Sequence, residues 1–395
     1  MLKNMLKDET IRIGVILPLS GRFKYFGETG LYGCQMATNE INDSNGILGA
    51  KIELIVKNFG DDPIKAGEIA RELIEVEGVH LIRGTFLSPA AINVIKVAEE
   101  HRIPFLTIGC SADEITERGY KYVFRMSTNS LIFNKIAIEF LEKIIQQFLK
   151  PIGSVKIATI YENKLMGHSF IKGGFLKLVS RLHPDWDIVS INAYSYEAPE
   201  FKGIIEDINT QDPDILVIST YLKDGVSLIK QLHTMGFKPK IILGIGATQT
   251  LAFIEMLGEE AKNIFICNEF WPDRQYPDPQ ILRRLAIGFW NTYKRPFDFL
   301  AYSGYAGMYL IKEVIEKCKC IDSSKIRELL LSEKFYFPWY GELFFHENGQ
   351  MNIIPTITQV QQAKPDEPWQ SHNLTFHTVY PPPYNSSEPI FEEAK

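Results

Sequence analysis

The chain has 395 residues, of which 45% are hydrophobic and 23% are charged, with a formal net charge of −6. This length allows two domain cores, and the acidic balance lacks the basic face that nucleic-acid binding requires, so we expect no nucleic-acid partner. No apolar run reaches the roughly 18 residues of a membrane helix, so we expect no direct membrane insertion.

The N-terminus and the cysteines bear on the cellular compartment. The first ten residues read MLKNMLKDET and contain no apolar signal-peptide core. The chain is therefore either an extracytoplasmic protein whose signal peptide has been trimmed or a cytoplasmic protein. The five cysteines show neither disulfide-framework spacing nor a CxxC zinc pattern, so we expect small, buried hydrophobic residues.

Strand and helix patterns alternate through the first part of the chain. Apolar, branched runs predict strands at 11–17, 51–56, 79–82 and 104–108. Helical spacing predicts helices at 30–41, 63–77 and 90–101. This alternation predicts an open, mostly parallel sheet with helices on both faces.

A second alternation follows from about residue 130 to residue 270. Its predicted strands are 155–160, 187–194, 214–219 and 240–244, and its predicted helices are 133–148, 169–182, 201–209 and 225–235. Three further helices are predicted at 280–293, 299–317 and 323–331, before a hairpin at 341–362 that turns at Asn348-Gly349. Residues 365–395, rich in proline and polar groups, predict an irregular tail in which His372 and His377 are solvated.

Three segments resemble the opening of the type I periplasmic binding proteins, namely VILPLSG, FGETGLYGCQMATNEIN and NGILGAKIELIVKNFGDDP. The branch most similar is that of the leucine/isoleucine/valine-binding proteins, which includes amide- and urea-binding relatives, and the similarity extends more weakly to about residue 364. The resemblance implies an α/β fold of two lobes, each a mostly parallel sheet flanked by helices, with a three-segment hinge. It places the N-terminal lobe at 1–129 and 272–338, the C-terminal lobe at 130–271 and 339–364, and the tail at 365–395.

The resemblance also implies a function. A protein of this kind is the solute-binding component of an ABC importer of the branched-chain amino acid type, and it clamps a small ligand between its lobes. It would act in the periplasm or otherwise outside the cytoplasm and deliver the ligand to a membrane ABC permease. The alternatives are a cytoplasmic sensor of an amide-type ligand with the same fold, and a receptor ectodomain with a membrane helix beyond Lys395.

Loops that follow strands are the expected ligand sites, since open parallel sheets bind ligands outside the carboxyl ends of their strands. Here these loops are small, glycine-rich and hydroxyl-rich, and those at 84–88 and 109–111 precede predicted helices. Backbone amides at a helix start attract an anion such as a carboxylate. Simple capping of the two helices by Ser88 and Ser111 is the alternative.

The resemblance assigns ligand contacts to the same loops. It implies a hydroxyl from Ser88, a backbone group from Cys110 and a hydroxyl from Ser111. It also matches Phe26 to an aromatic residue that covers the pocket, and Tyr221 to a tyrosine at the end of a second-lobe strand.

Two positions depart from the amino-acid binders of this branch. Met166 stands where they carry a tyrosine, and Gly246 lies in the loop where they carry the acid that neutralises the ligand ammonium. Because a buried ammonium without a counter-charge is very costly, we expect a small amide or an aliphatic or aromatic carboxylate. An amino acid remains the alternative, with Asp224 or Glu162 as the replacement acid.

The predicted ligand-binding set is Phe26, Phe86, Ser88, Gly109, Cys110, Ser111, Met166, Tyr221 and Gly246. Ordinary core packing is the alternative role of Phe86 and Met166. Because the sequence contains no GxSxG elbow, no phosphate-binding GxxxxGK[ST] loop and no HExxH pair, we predict no enzyme, no cofactor and no metal site.

Overall fold

The computed structural model describes residues 6, 9–149, 154–195, 200–246 and 248–391. Its internal contacts divide the chain into two compact units. Unit 1 comprises Met1–Asn129 and Gln280–Ile353, and unit 2 comprises Ser130–Pro279 and Ile354–Lys395. Residues 272–279, assigned above to the first lobe, thus have most of their contacts in unit 2, and residues 339–353 have most of theirs in unit 1.

The strands, in chain order, are β1 (Thr10–Leu17), β2 (Lys51–Asn58), β3 (Leu81–Thr85), β4 (Phe105–Ile108), β5 (Val123–Phe124), β6 (Lys156–Glu162), β7 (Asp187–Tyr194), β8 (Ile215–Ser219), β9 (Ile241–Ile245), β10 (Phe265–Asn268), β11 (Phe335–Phe337), β12 (Gly341–Leu343), β13 (Thr356–Gln362) and β14 (Leu374–Tyr380).

The helices, in chain order, are α1 (Lys24–Asp43), α2 (Pro63–Glu75), α3 (Ser88–His101), α4 (Ser130–Ile144), α5 (Leu165–Gly167), α6 (Lys177–Leu182), α7 (Lys202–Gln211), α8 (Leu222–Thr234), α9 (Leu251–Leu257), α10 (Pro279–Tyr293), α11 (Phe299–Cys318) and α12 (Ser323–Ser332). Residues Ile145–Leu149 and His168–Leu176 are π-helical. Within the described ranges, no helix is both long and apolar enough to cross a membrane.

Unit 1 is built on a five-stranded sheet in the order β2-β1-β3-β4-β5, and every neighbouring pair in it is parallel. Strand β1, the second in this order, pairs Ile13 with Leu54 on one side and with Leu81 on the other. Because Ile13 and Leu81 are fully buried, the sheet interior forms the core of this unit. This matches the strand–helix alternation that the sequence predicts for 11–111.

Helices α1 and α11 of unit 1 pack closely because glycines face each other at their contact. A Cβ on Gly33 would lie 2.1 Å from the carbonyl oxygen of Ala301, and one on Gly304 would lie 2.3 Å from the carbonyl oxygen of Gly30. Helix α11 begins at an aspartate cap, since Asp298 Oδ1 accepts hydrogen bonds from Leu300 N at 3.0 Å and from Ala301 N at 3.2 Å. The first residues of α1 and α11 both lie beside the strand-end loops described below.

Unit 2 contains a seven-stranded sheet in the order β14-β13-β10-β9-β8-β6-β7. The strands from β10 to β7 are parallel, whereas β13 and β14 are antiparallel additions at one edge. The aromatic side chains of Phe133, Phe140 and Phe170 pack with apolar strand residues into the core of this unit.

The predicted hairpin at 341–362 is only partly correct. A turn does form at its centre, where Gly349 N donates to His346 O at 2.8 Å and Phe345 pairs with Met351. The arms separate, however, because β12 pairs with β11 in unit 1, whereas β13 pairs with β10 in unit 2.

The prediction of an irregular tail is wrong for Leu374–Tyr380, which forms strand β14. Leu374 and Phe376 are buried in the sheet, and the prolines that suggested irregular structure follow the strand directly. The prediction for His377 is also wrong, since its side chain is only 2% exposed, whereas His372 is exposed as predicted.

Candidate functional site

In unit 1 the loops that follow β3 and β4 are hydrogen-bonded to each other. These strands are parallel neighbours, so both loops leave the same edge of the sheet. Phe86 N donates to Ile108 O at 2.8 Å, and Ala112 N donates to Ser88 Oγ at 3.2 Å. The predicted residues Ser88 and Ser111 therefore lie in two loops that are held side by side.

Neither of these serines caps a helix, so the capping alternative is wrong. Helix α3 begins at Ser88 itself, and no side-chain hydrogen bond caps it. The three-residue turn at Asp113–Ile115 is preceded by Ala112 rather than by Ser111. Ser111 is partly exposed, and its hydroxyl has no hydrogen-bond partner among the described residues. It is therefore available to a ligand.

Cys110 contributes its backbone to this loop and its side chain to the core. Burial raises the pKa of the Cys110 thiol, despite hydrogen bonds from Thr85 and Phe86 that lower it. The carbonyl oxygen of Cys110 accepts a hydrogen bond from Ser127 Oγ at 2.7 Å. One lone pair of that carbonyl therefore remains for the predicted ligand contact.

Arg125, which the sequence analysis missed, holds the same loop in place. It is fully buried and donates to Ala112 O at 2.5 Å, to Thr116 Oγ1 at 2.6 Å and to Gln350 Oε1 at 2.5 Å. Gln350 in turn donates to Ser127 O at 2.9 Å. The loop that carries Cys110 and Ser111 is thus fixed by a buried polar network, and an arginine directly after an apolar strand was the only sequence signal for it.

Phe26, Phe86 and Gly109 are brought together in unit 1. The rings of Phe26 and Phe86 stack with centroids 4.4 Å apart and planes 7° apart. Gly109 has φ 69°, and a Cβ on it would lie 2.7 Å from Leu300 Cδ2 and 3.3 Å from Phe86 Cδ2, so only glycine fits there. Both rings are less than a tenth exposed, as the core-packing alternative expects for Phe86, and their ligand contact stays a prediction.

In unit 2 the predicted residues Met166 and Gly246 are neighbours. Gly246 follows β9 with φ 122°, and a Cβ on it would lie 3.7 Å from Met166 Sδ. The same position is 3.6 Å from Ser219 Oγ and 3.8 Å from Phe170 Cε2. The sequence analysis did not identify Ser219 or Phe170. Tyr221 lies two residues beyond Ser219, as the partly exposed N-cap of α8.

The two acids named above as alternative counter-charges both lie in unit 2. Glu162 is 1% exposed and accepts a hydrogen bond from Gly167 N at 3.4 Å. Burial raises the pKa of Glu162, and repulsion from Asp224 adds to this effect. Asp224 is 2% exposed and accepts a hydrogen bond from the Tyr194 hydroxyl at 3.0 Å. Each acid is therefore already engaged by a donor of the protein.

The two mostly parallel sheets and their strand-end loops agree with the class of protein that the family comparison identifies. The family model described as periplasmic binding protein matches residues 10–366, and the chain belongs to that family. The resemblance to type I proteins of the leucine/isoleucine/valine-binding branch is confirmed, and so is the predicted class of two α/β lobes with mostly parallel sheets flanked by helices.

Named relatives support this assignment. The chain is 29% identical over 329 residues to Leu/Ile/Val-binding protein homolog 7 of Brucella suis biovar 1 (strain 1330). The aligned residues cover 81% of this chain and 80% of that protein. The fold is shared with the branched-chain amino acid transporter substrate-binding protein LivJ from Streptococcus pneumoniae, solved with isoleucine (TM-score 0.77, 18% identity, 94% of this chain and 100% of that chain). It is also shared with a solute-binding protein of an ABC transporter from Rhodopseudomonas palustris BisB5, solved with 3,4-dihydroxy benzoic acid. That match has a TM-score of 0.76 at 20% identity and covers 90% of this chain and 94% of that chain.

Proposed function

We propose that this protein is the solute-binding component of an ABC importer of the branched-chain amino acid type, which hands a small ligand to a membrane permease. The observation that carries the proposal is the gathering of small, hydroxyl-bearing and aromatic residues in the strand-end loops of each unit, where open parallel sheets bind ligands. Membership of the periplasmic binding protein family supports the same role. In this role the protein acts in the periplasm or otherwise outside the cytoplasm, and it has no catalytic task.

In the proposed mechanism, the ligand first docks on unit 1. The Ser111 hydroxyl and the backbone of Cys110 meet its polar end. Arg125 and Ser127 hold this loop in advance, so little ordering entropy is lost on binding. Unit 2 then contributes Met166, Tyr221 and the space beside Gly246, and the contacts from both units favour a closed, ligand-bound state.

The proposed ligand is a small amide or an aliphatic or aromatic carboxylate without an ammonium group. Gly246 offers no counter-charge, and Met166 and Phe170 line the space beside it with apolar atoms. An amino acid is the second possibility, and Glu162 is then the acid proposed to neutralise its ammonium. Because burial raises the pKa of Glu162, its ionised form is disfavoured unless a cation binds next to it.

A cytoplasmic sensor of an amide-type ligand is the second candidate function. All five cysteines are free, and Cys34, Cys110 and Cys267 are buried. Free thiols persist in a reducing compartment, whereas extracytoplasmic proteins more often oxidise theirs. Fractionation of cells that express the gene from its native start separates the two functions, since the importer component is recovered outside the cytoplasm and the sensor inside it.

Alanine variants of the two serines test the proposed binding role. Ser111→Ala is expected to weaken ligand binding about tenfold without lowering the unfolding midpoint, because the hydroxyl has no hydrogen bond to lose within the described part of the chain. Ser88→Ala should weaken ligand binding too. Unlike Ser111→Ala, it should lower the free energy of unfolding by about 1 kcal/mol, because Ala112 N loses its acceptor. The measurement is calorimetric titration with benzoate, isovalerate, isobutyramide and leucine.

The matched control is Ser332→Ala, which removes an exposed hydroxyl at the end of α12 in the same unit and should change neither property. Wild-type affinity in the double variant Ser88→Ala/Ser111→Ala would show that the ligand docks elsewhere.

A further inference from the structure

Ser219 carries a buried hydroxyl without a hydrogen-bond partner among the described residues. It is the last residue of β8, its side chain is fully buried, and its Oγ is hydrogen-bonded to no residue of the ranges that the structure describes. A buried polar group that is left unpaired is costly, so native structures keep such groups mainly where an outside partner satisfies them.

The surroundings of this hydroxyl are those of a ligand site rather than of a closed core. Its Oγ is 3.6 Å from where a Cβ on Gly246 would be, and Met166 Sδ and Phe170 Cε2 flank that point at 3.7 and 3.8 Å. All three distances are ordinary contacts, so the space beside Gly246 accepts an atom of carbon size. Phe170 is itself held in place, since its carbonyl accepts a hydrogen bond from Asn134 Nδ2 at 2.9 Å and its ring packs edge-on against Phe133.

The neighbouring unpaired hydroxyls of unit 2 differ from Ser219 in position. Thr220 Oγ1 lies only 2.5 Å from where a Cβ on Gly225 would be, so it is pressed against α8. Thr159 is also fully buried and unpaired, but it lies in the middle of β6. Ser219 instead sits at the carboxyl end of its strand, next to two residues that the sequence already predicts as ligand contacts.

We propose that Ser219 is a specificity-determining residue that hydrogen-bonds an uncharged polar substituent of the ligand. The proposal rests on the proposed solute-binding function and narrows its ligand class to small acids that carry a hydroxyl or carboxamide in addition to the carboxylate. A serine hydroxyl both donates and accepts, which suits either group. The flanking thioether of Met166 and ring of Phe170 cannot compensate a charge, so the substituent is uncharged.

The test compares matched ligand pairs on the full-length protein. Wild-type, Ser219→Ala and Thr159→Val proteins are titrated calorimetrically with benzoate against 4-hydroxybenzoate and with isovalerate against 3-hydroxyisovalerate. We expect the wild-type protein to bind the hydroxylated member of at least one pair about tenfold more tightly. Ser219→Ala should abolish this preference without weakening the unsubstituted acid, and without lowering the unfolding midpoint. Thr159→Val, which removes an equally buried hydroxyl of the same sheet, should retain the preference.

The outcomes separate this inference from the function on which it rests. If Ser219→Ala retains the preference, or if the wild-type protein binds the acids without any preference, the role of Ser219 is contradicted while the binding function stands. If the wild-type protein binds none of the four acids, the proposed acid-binding function fails, and the role of Ser219 fails with it.

Discussion

Asp273→Ala is expected to lower the free energy of unfolding by about 3–5 kcal/mol, because it breaks a buried charge network and leaves its partners unpaired. Asp273 is buried and accepts hydrogen bonds from Thr378 N at 2.7 Å, from Thr378 Oγ1 at 2.5 Å and from Ser386 Oγ. These donors belong to β14 and to the segment that follows it. Urea unfolding followed by circular dichroism measures the loss.

The same network predicts a pH dependence through His377. Its Nδ1 lies 3.6 Å from Asp273 Oδ2, and its Nε2 lies 3.6 Å from Glu367 Oε2 and 3.1 Å from Gln362 O. Burial lowers the pKa of His377, but Asp273, Glu367 and the Gln362 carbonyl together raise it above 6.5. Burial likewise raises the pKa of Asp273, but attraction to His377 and hydrogen bonds from Ser386 and Thr378 bring it below 3.8.

The signs of these shifts set the pH window. A raised histidine pKa stabilises the fold fully below about pH 6.5, and the contribution is lost as the pH rises through the folded-state pKa. The lowered pKa of Asp273 stabilises the fold above about pH 3.9, and this contribution is lost as the pH falls.

The urea midpoint of the wild-type protein should therefore fall between pH 6 and pH 9, and that of His377→Asn should fall less. His372→Asn, at an exposed histidine of the same segment, is the control, and equal pH profiles for all three proteins would contradict the pairing.

Arg125→Met is expected to lower the free energy of unfolding by about 3 kcal/mol and to weaken ligand binding at least as much as Ser111→Ala does. The variant leaves Ala112 O, Thr116 Oγ1 and Gln350 Oε1 without their buried donor, so the loop that carries Ser111 loses its fixed position. Calorimetric titration below the unfolding transition measures the affinity of the folded fraction.

Arg83→Met is the matched control for this prediction. Arg83 is equally buried in unit 1, but it donates to backbone carbonyls of strand β4 and helix α11, namely Leu106 O, Ser303 O and Gly304 O, and none of these belongs to the loop at 109–112 that Arg125 holds. Its replacement should destabilise the protein while the folded fraction keeps wild-type affinity. If Arg125→Met lowers the free energy of unfolding but its folded fraction also keeps wild-type ligand affinity, Arg125 stabilises the fold without positioning the ligand loop.

The sequence predicts the sheets better than it predicts the contacts within the site. Strands such as β8 and β4 are recognisable because they are buried on both faces and therefore read as short apolar runs, Ile-Leu-Val-Ile in β8 and Phe-Leu-Thr-Ile in β4. The strand-end rule then correctly places Ser88 and Ser111 in neighbouring loops. Their connection through Ala112 depends on the pairing of Thr85 with Ile108, and no local pattern encodes that register.

The residues that the sequence analysis missed share a physical reason. Arg125 and His377 are polar side chains in fully buried positions, where composition predicts apolar ones, and their burial depends on partners that are distant in sequence. Ser219 is identified by an unpaired hydroxyl, a property that exists only once the fold is known. Strand β14 reads Leu-Thr-Phe-His-Thr-Val-Tyr and is rich in strand-forming residues, but the proline-rich residues around it hid that signal.

A thermal-shift screen of the wild-type protein, unfolded and refolded beforehand to remove bound solute, tests the solute-binding role most directly. The panel contains branched-chain amino acids, small amides and ureas, aliphatic acids and aromatic acids, with Glu162→Gln screened in parallel. A ligand at about a thousand times its dissociation constant stabilises the folded protein by roughly 4 kcal/mol, which raises the unfolding midpoint by several degrees.

We expect such a rise with acids or amides that lack an ammonium group, in both the wild-type protein and Glu162→Gln. A rise only with leucine or valine that Glu162→Gln abolishes would contradict the proposed ligand class, and no rise with any group would contradict binding of these solutes.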